Sequence, residues 1–222
     1  MCYNKESSIT AFIVGIVLST YLFTIWDKYL KTLSIFSGYI VFAQLIEYFL
    51  WDNQSCNKTN DIVSKIIPIY LIGQPLSILF SLYYFKSSFV KSEVLIALIV
   101  FGLCIILKML YDALTSNKNL CSKAVNGSLE WDTIYNSKTR PSRDFLSLFT
   151  GHGIIPQYSK LIYSATLLFV LFLKNKLYSW ISAFLLLSTF FINFLNNVNW
   201  YSTFCFTMVI LPLVLIITKF FV

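Results

Sequence analysis

Seven apolar stretches of membrane-crossing length, or close to it, divide this chain: Ser8–Trp26, Leu33–Trp51, Ile62–Phe85, Ser92–Leu114, Ser159–Leu173, Tyr178–Asn196 and Tyr201–Phe221. A bilayer's hydrocarbon layer is roughly 30 Å thick, and a helix rising about 1.5 Å per residue needs about 20 apolar residues to cross it. The fifth stretch is the shortest. Backbone in lipid must satisfy its own hydrogen bonds, which leaves helices and closed barrels as the spanning forms. These runs are continuous and lack the alternation of a barrel strand. The links DKYLK, KSSFVK, KNK and NNVN are short, so successive helices should pack as antiparallel neighbours. The expected fold is all-α. One seven-helix transmembrane domain covers residues 1–222, with a long outer loop at 115–158.

Composition agrees. The chain is 57% hydrophobic and 12% charged, whereas a soluble domain is about one-quarter charged. The net charge of +7 therefore needs no nucleic-acid partner. Lysines fall mostly between apolar segments, where they anchor and orient helices. The expected partner is the lipid bilayer, in an endomembrane, plasma or virion membrane. The start lacks the pattern of a cleaved leader, so Ser8–Trp26 reads as a retained span. Five cysteines without a CxxC pair and a single histidine argue against a zinc site, and no cofactor is implied.

Two cues give an orientation. Lys28 and Lys31, Lys86 and Lys91, and Lys174 and Lys176 occupy alternate short loops, with Lys219 closing the last span on the same side. The positive-inside rule places that side in the cytoplasm, the N-terminus outside or in a lumen, and the C-terminus inside. The long loop, with Lys118, Lys123, Lys138, Arg140 and Arg143, counts against this. Glycosylation acceptors at Asn53, Asn57 and Asn126 all lie on the outer side and favour it. Cys56 and Cys121 lie in the two outer loops as a candidate disulfide, the alternative being two unpaired thiols. Cys104 and Cys205, within spans, read as small core residues.

Polar residues inside the spans are the candidate site. FAQLIEYFLW, residues 42–51, carries Gln44 and Glu47 on one helix face. An intramembrane carboxyl is costly and normally turns inward toward a partner. Gln74 lies between Gly73 and Pro75 in the third span, Lys108 near the outer end of the fourth, and Asn193 in the sixth. Gln44, Glu47, Gln74, Lys108 and Asn193 would form one polar cluster in the outer half if their helices face one another. Glu47 and Lys108 would neutralise each other as an ion pair. Alternatively, Lys108 pairs with Asp112 along its own helix or snorkels outward. Such a cluster either bonds helices together or lines an outward-opening cavity for an ion, lipid headgroup or small solute. Gly73-Gln74-Pro75 also reads as a kink whose loosened backbone Gln74 satisfies.

Residues 144–160, DFLSLFTGHGIIPQYSK, are too apolar for a solvated loop and too short for a span. They read as an interfacial or re-entrant segment. It carries His152, either solvated or free to approach a ligand between its two glycines. The last span has no Schiff-base lysine, and TVGYG, HExxH and GxSxG are absent. Those absences count against a retinal protein, a potassium filter, a metalloprotease and a serine hydrolase.

Cys2, Asn4, Gln44, Glu47, Trp51, Gln74 and Pro75 also form a pattern, MCxN followed by QxxExxxW and then QP. In this the chain resembles a multipass membrane family of large nucleocytoplasmic DNA viruses. The resemblance covers mainly the first three spans. It implies a viral or host endomembrane setting and marks those seven positions, but carries no activity. Cys2 could become an N-terminal nucleophile if Met1 were trimmed, though no base partner is evident. No catalytic residue is assigned. The expected function is binding or membrane organisation around the polar cluster. A small transporter or channel is the alternative, and an intramembrane enzyme the third reading.

Overall fold

The computed structural model describes residues 4–125, 128–132, 165–196 and 200–221, and the side chains of 125, 128, 130, 189–196, 200–208 and 221 lie outside the description. Among the described residues there are seven helices: α1 (Lys5–Thr24), α2 (Lys28–Asp52), α3 (Lys58–Tyr84), α4 (Ser92–Thr115), α5 (165–171), α6 (Lys176–Asn196) and α7 (Trp200–Phe221). A small antiparallel hairpin, β1 (Lys123–Val125) and β2 (Ser128–Glu130), follows α4. Helices α1 to α4 are long and apolar enough to cross a membrane, and α6 and α7 contain shorter apolar helical stretches, Lys176–Ser188 and Val209–Phe220. Of the expected fifth span, only 165–171 is described as helix.

Helix boundaries follow local chemistry. Asn4, Asp27 and Asn57 each accept backbone N–H bonds at the starts of α1, α2 and α3, as short polar side chains do at N-caps. Helix α3 ends in a Schellman turn: the Ser87 N–H donates to the Leu82 carbonyl at 3.2 Å and the Lys86 N–H to the Tyr83 carbonyl at 3.2 Å. Lys86 takes the left-handed position, φ 49°, where glycine is usual.

Helix α2 is the centre, packed against α1, α3 and α7, while α4 lies on α3 at the edge. The α1–α2 contact is built from small residues. Ala11, Gly15 and Ser19 line the buried face of α1, and a Cβ on Gly15 would run into Val41. Ser34 Oγ donates to the Ser19 carbonyl at 2.6 Å, and Ser19 and Ser37 hydroxyls share a 3.1 Å bond. Close approach through small residues is how helices associate when lipid offers no hydrophobic drive.

The α2–α3 contact turns on two tyrosines. The rings of Tyr39 and Tyr70 stack with centroids 5.3 Å apart. Tyr39 Oη donates to the Tyr70 carbonyl at 3.1 Å, next to the Leu71 carbonyl that Pro75 deprives of its helical donor. The Tyr70 hydroxyl donates to the Ile40 carbonyl at 2.6 Å and accepts from the Ala43 N–H at 3.1 Å. One side chain is thus wedged into the hydrogen-bond ladder of α2.

The apolar interior has two main parts. The larger contains Phe36, Ile40, Ala43, Tyr70, Ile78 and Leu82. The smaller, at the end where α2 meets α3, contains Leu50, Ile67, Leu129 and Trp131. Cys104 departs from expectation: it is exposed on the edge helix α4 and belongs to neither. The Cys205 side chain lies outside the described residues.

Candidate functional site

The α2–α3 corner carries a cap tied down by side chains. Cys56 and Cys121 are joined as a disulfide, with Cα atoms 5.0 Å apart. Asn60 and Ser122 then bond reciprocally. Asn60 Nδ2 donates to the Ser122 carbonyl at 2.8 Å, and the Ser122 N–H returns to Asn60 Oδ1 at 2.9 Å. The Ser64 and Ser122 hydroxyls share a 2.7 Å bond. The Leu120 N–H donates to Asp61 at 2.8 Å, the Ala124 N–H to Gln54 Oε1 at 2.7 Å, and the Cys121 N–H to Asp132 at 3.0 Å. A segment without extended sheet partners therefore finds acceptors on side chains, which is what makes its burial affordable.

The bridge joins the two cysteines that the sequence offers as a candidate disulfide, whereas nothing in the sequence reading assigns a role to Asn60, Asp61, Ser64 or Gln54 beside it. The available signal for the hairpin of the cap was Asn126-Gly127 between short apolar–polar alternations, the strongest short-range mark of a two-residue hairpin. The register Val125↔Ser128 agrees with that loop length.

Gln44 and Glu47 lie directly beneath the cap. Both are fully buried on the face of α2 that also buries Ala43 and Leu50. Ala43 belongs to the larger apolar cluster and Leu50 to the capped one. The amide and carboxyl thus occupy the layer where the core divides, with Ile46 and Leu71 packed against both parts. Gln74 is buried too. However, Gly73 abuts Tyr39 while Tyr70 reaches Ile40 and Ala43. That register sets Gln74 at the level of Tyr39, about one turn away from Gln44 toward the opposite end.

Lys108 does not join them, and the anticipated Glu47–Lys108 ion pair is corrected. Its ammonium is held by both oxygens of Asp112 at 2.5 and 2.6 Å, and its side chain is 61% exposed. Spacing decides the matter: i,i+4 partners on one helix meet without any tertiary contact. Helix α4 touches the bundle through α3, and Lys108 is on its exposed side. The Asn193 side chain, Cys2, His152 and Asn126 lie outside the described residues.

Asn4 has a structural task as the α1 cap, accepting from the Ser7 N–H at 2.8 Å. Asn53 and Asn57 are engaged with one another. Asn57 Nδ2 donates to Asn53 Oδ1 at 2.7 Å, and Asn53 Nδ2 donates to the Phe49 carbonyl at 2.8 Å.

At the other end the lysine-bearing loops meet. The Phe89 N–H donates to the Phe172 carbonyl at 3.2 Å, and the Lys174 N–H to the Ser87 carbonyl at 2.8 Å. Lys28 Nζ reaches the Lys86 carbonyl at 3.5 Å, and the Lys176 ammonium stands 4.6 Å from the Phe89 ring centroid. Trp26, Tyr84 and Trp180 are exposed at this end, as interfacial aromatics are. No family model, curated protein or solved structure matches the chain.

Proposed function

We propose that the chain is an integral membrane protein of viral type with a binding or membrane-organising role, centred on Gln44 and Glu47 beneath the disulfide-tied cap. The observation that carries this is the complete burial of an ionisable carboxyl and an adjacent amide on the central helix. Intramembrane carboxyls that face a bundle interior mark ligand, ion or proton sites. Gln74, also buried, lies about one turn away toward the opposite end, and Lys108 drops out.

Transport is the second reading, favoured by the same buried carboxyl. Flux separates the two. Full-length protein in liposomes, tested for proton, sodium and potassium movement, should leak no faster than empty vesicles, and Glu47→Gln should leave that trace unchanged. Flux that appears with the wild type and vanishes in Glu47→Gln would replace the binding role with transport.

The orientation proposed with this role puts the disulfide end outside or in a lumen and the lysine end in the cytoplasm. The gathering of Lys28, Lys31, Lys86, Lys91, Lys174 and Lys176 at one end supports it, as does the bridge at the other. In a secretory-competent cell, the Asn126 acceptor should carry a glycan removable by endoglycosidase and lost in Asn126→Gln. Asn53, whose amide is engaged with Phe49, should contribute none. An unmodified chain with the lysine end reactive from outside the cell would reverse the assignment.

A further inference from the structure

Between the end of α3 and the start of α4 lies an open cavity of about 570 Å³, lined by Leu82, Tyr83, Tyr84, Lys86, Ser88, Val90, Ser92 and Leu95. Small-molecule sites are typically roughly 300–1,000 Å³. Its lining divides by exposure: Leu82 and Leu95 are buried, Ser88 and Val90 half-buried, and Tyr83, Tyr84, Lys86 and Ser92 exposed, so the apolar wall is the inner one and the mouth is polar. This is the division an amphiphile needs.

Lys86 is the one charged side chain among the described residues lining this cavity. Among the described residues, the ion pairs engage Lys5, Lys65 and Lys108, leaving Lys86 and Lys91 unneutralised by any acid. Lys28 is close by, donating to the Lys86 carbonyl. Glu93 is the acidic residue of the α4 first turn, where it accepts from Ser92 Oγ at 3.2 Å. No side chain caps the start of α4, whose first residue, Ser92, lines the cavity, and Glu93 in the first turn offsets part of the positive potential of the free amides. The Lys86 backbone reinforces the point. A lysine occupies a left-handed turn position that glycine would fill without strain, and such strain persists where the side chain has a use. Exposed Tyr84 and Phe89 place the mouth at the depth of lipid headgroups.

We infer that this cavity binds the phosphate-bearing headgroup of an anionic phospholipid in the leaflet at the lysine end, with the acyl chains along the apolar wall. The cavity stands at the opposite end of the bundle from Glu47 and does not depend on the role proposed there.

The test uses the full chain in detergent micelles, titrated in parallel with dioleoyl phosphatidylserine and dioleoyl phosphatidylcholine, with bound lipid counted by native mass spectrometry. The serine lipid should bind at least about tenfold more tightly, since each basic residue near such a headgroup contributes about fivefold in affinity. Lys86→Gln should remove about fivefold of that preference by the same reckoning. Lys86→Gly should remove as much while raising Tm, because it deletes the ammonium and relieves the turn together. That pairing separates lost binding from lost folding. Lys65→Gln, in the Asp61 ion pair at the far end, should leave the lipid preference unchanged. Equal affinity for the two lipids, or an unchanged preference in both Lys86 variants, would overturn the inference. So would competition by inorganic phosphate without any preference between the lipids, which would identify a simple phosphate site.

Discussion

Breaking the Cys56–Cys121 bridge, by Cys56→Ser or by reductant, is expected to lower stability by about 2–4 kcal/mol. The bridge spans 65 residues, a loop long enough that chain entropy alone would give about 4 kcal/mol in a soluble protein. Here α3 and α4 lie within the loop. As membrane helices they would stay helical and inserted in the denatured state, so less freedom is regained and the lower part of the range applies. The cap should loosen with it, because Leu129 and Trp131, which pack against Leu50 and Ile67, follow Cys121 closely in the chain. Thermal unfolding in micelles, with and without reductant, measures the difference. Cys56→Ser, Cys121→Ser and the double variant should lose equal amounts, since each removes the same bond. A wild-type Tm indifferent to reductant would show that the hydrogen bonds of Asn60 and Ser122 hold the cap unaided.

Gly73→Ala is expected to destabilise by about 1–3 kcal/mol, the usual cost of forcing extra volume into a packed contact. Helix propensity alone would favour alanine by about 1 kcal/mol, so a net loss is the signature of overlap. The added Cβ would collide with the Tyr39 hydroxyl, which holds the Tyr70 carbonyl and lies in the stacked pair joining α2 to α3. Tyr39→Phe removes the nearer of two colliding atoms, the ring Cζ staying 2.5 Å from the added Cβ, together with one interhelical hydrogen bond, a loss of about 0.6–2 kcal/mol. Alanine should then be better tolerated in that background, with a coupling of about 0.5–3 kcal/mol between the two changes. Strictly additive losses would mean that α3 shifts bodily to make room, and the tight tyrosine contact would lose its importance.

These two effects lie on different sides of what could be read without coordinates. The first four apolar runs come within a few residues of the helices formed, and Asn4, Asp27 and Asn57 mark three of the starts. The disulfide partners were readable as loop residues on one side. Gly73 was readable only as part of a proline kink. Nothing in its neighbourhood named Tyr39, thirty-four residues earlier, as the reason it must be glycine. Lys108 shows the same limit. Its depth near the outer end matches that of Glu47, but depth is a single coordinate: the rotation of α4 puts Lys108 on the exposed side, where Asp112, one turn along the same helix, holds its ammonium.

Read alone, the amino-acid sequence determined the helical class, most helix ends and the polar positions inside the apolar runs. These follow from a backbone that must satisfy its own hydrogen bonds and from side chains tested residue by residue against water or lipid. Tertiary structure alone decided which face each helix buries, which polar groups meet, and that a hairpin covers the Glu47 layer. Those outcomes depend on the relative rotation and register of helices far apart in the chain. Many rotations satisfy the same hydropathy, and only side-chain packing selects among them.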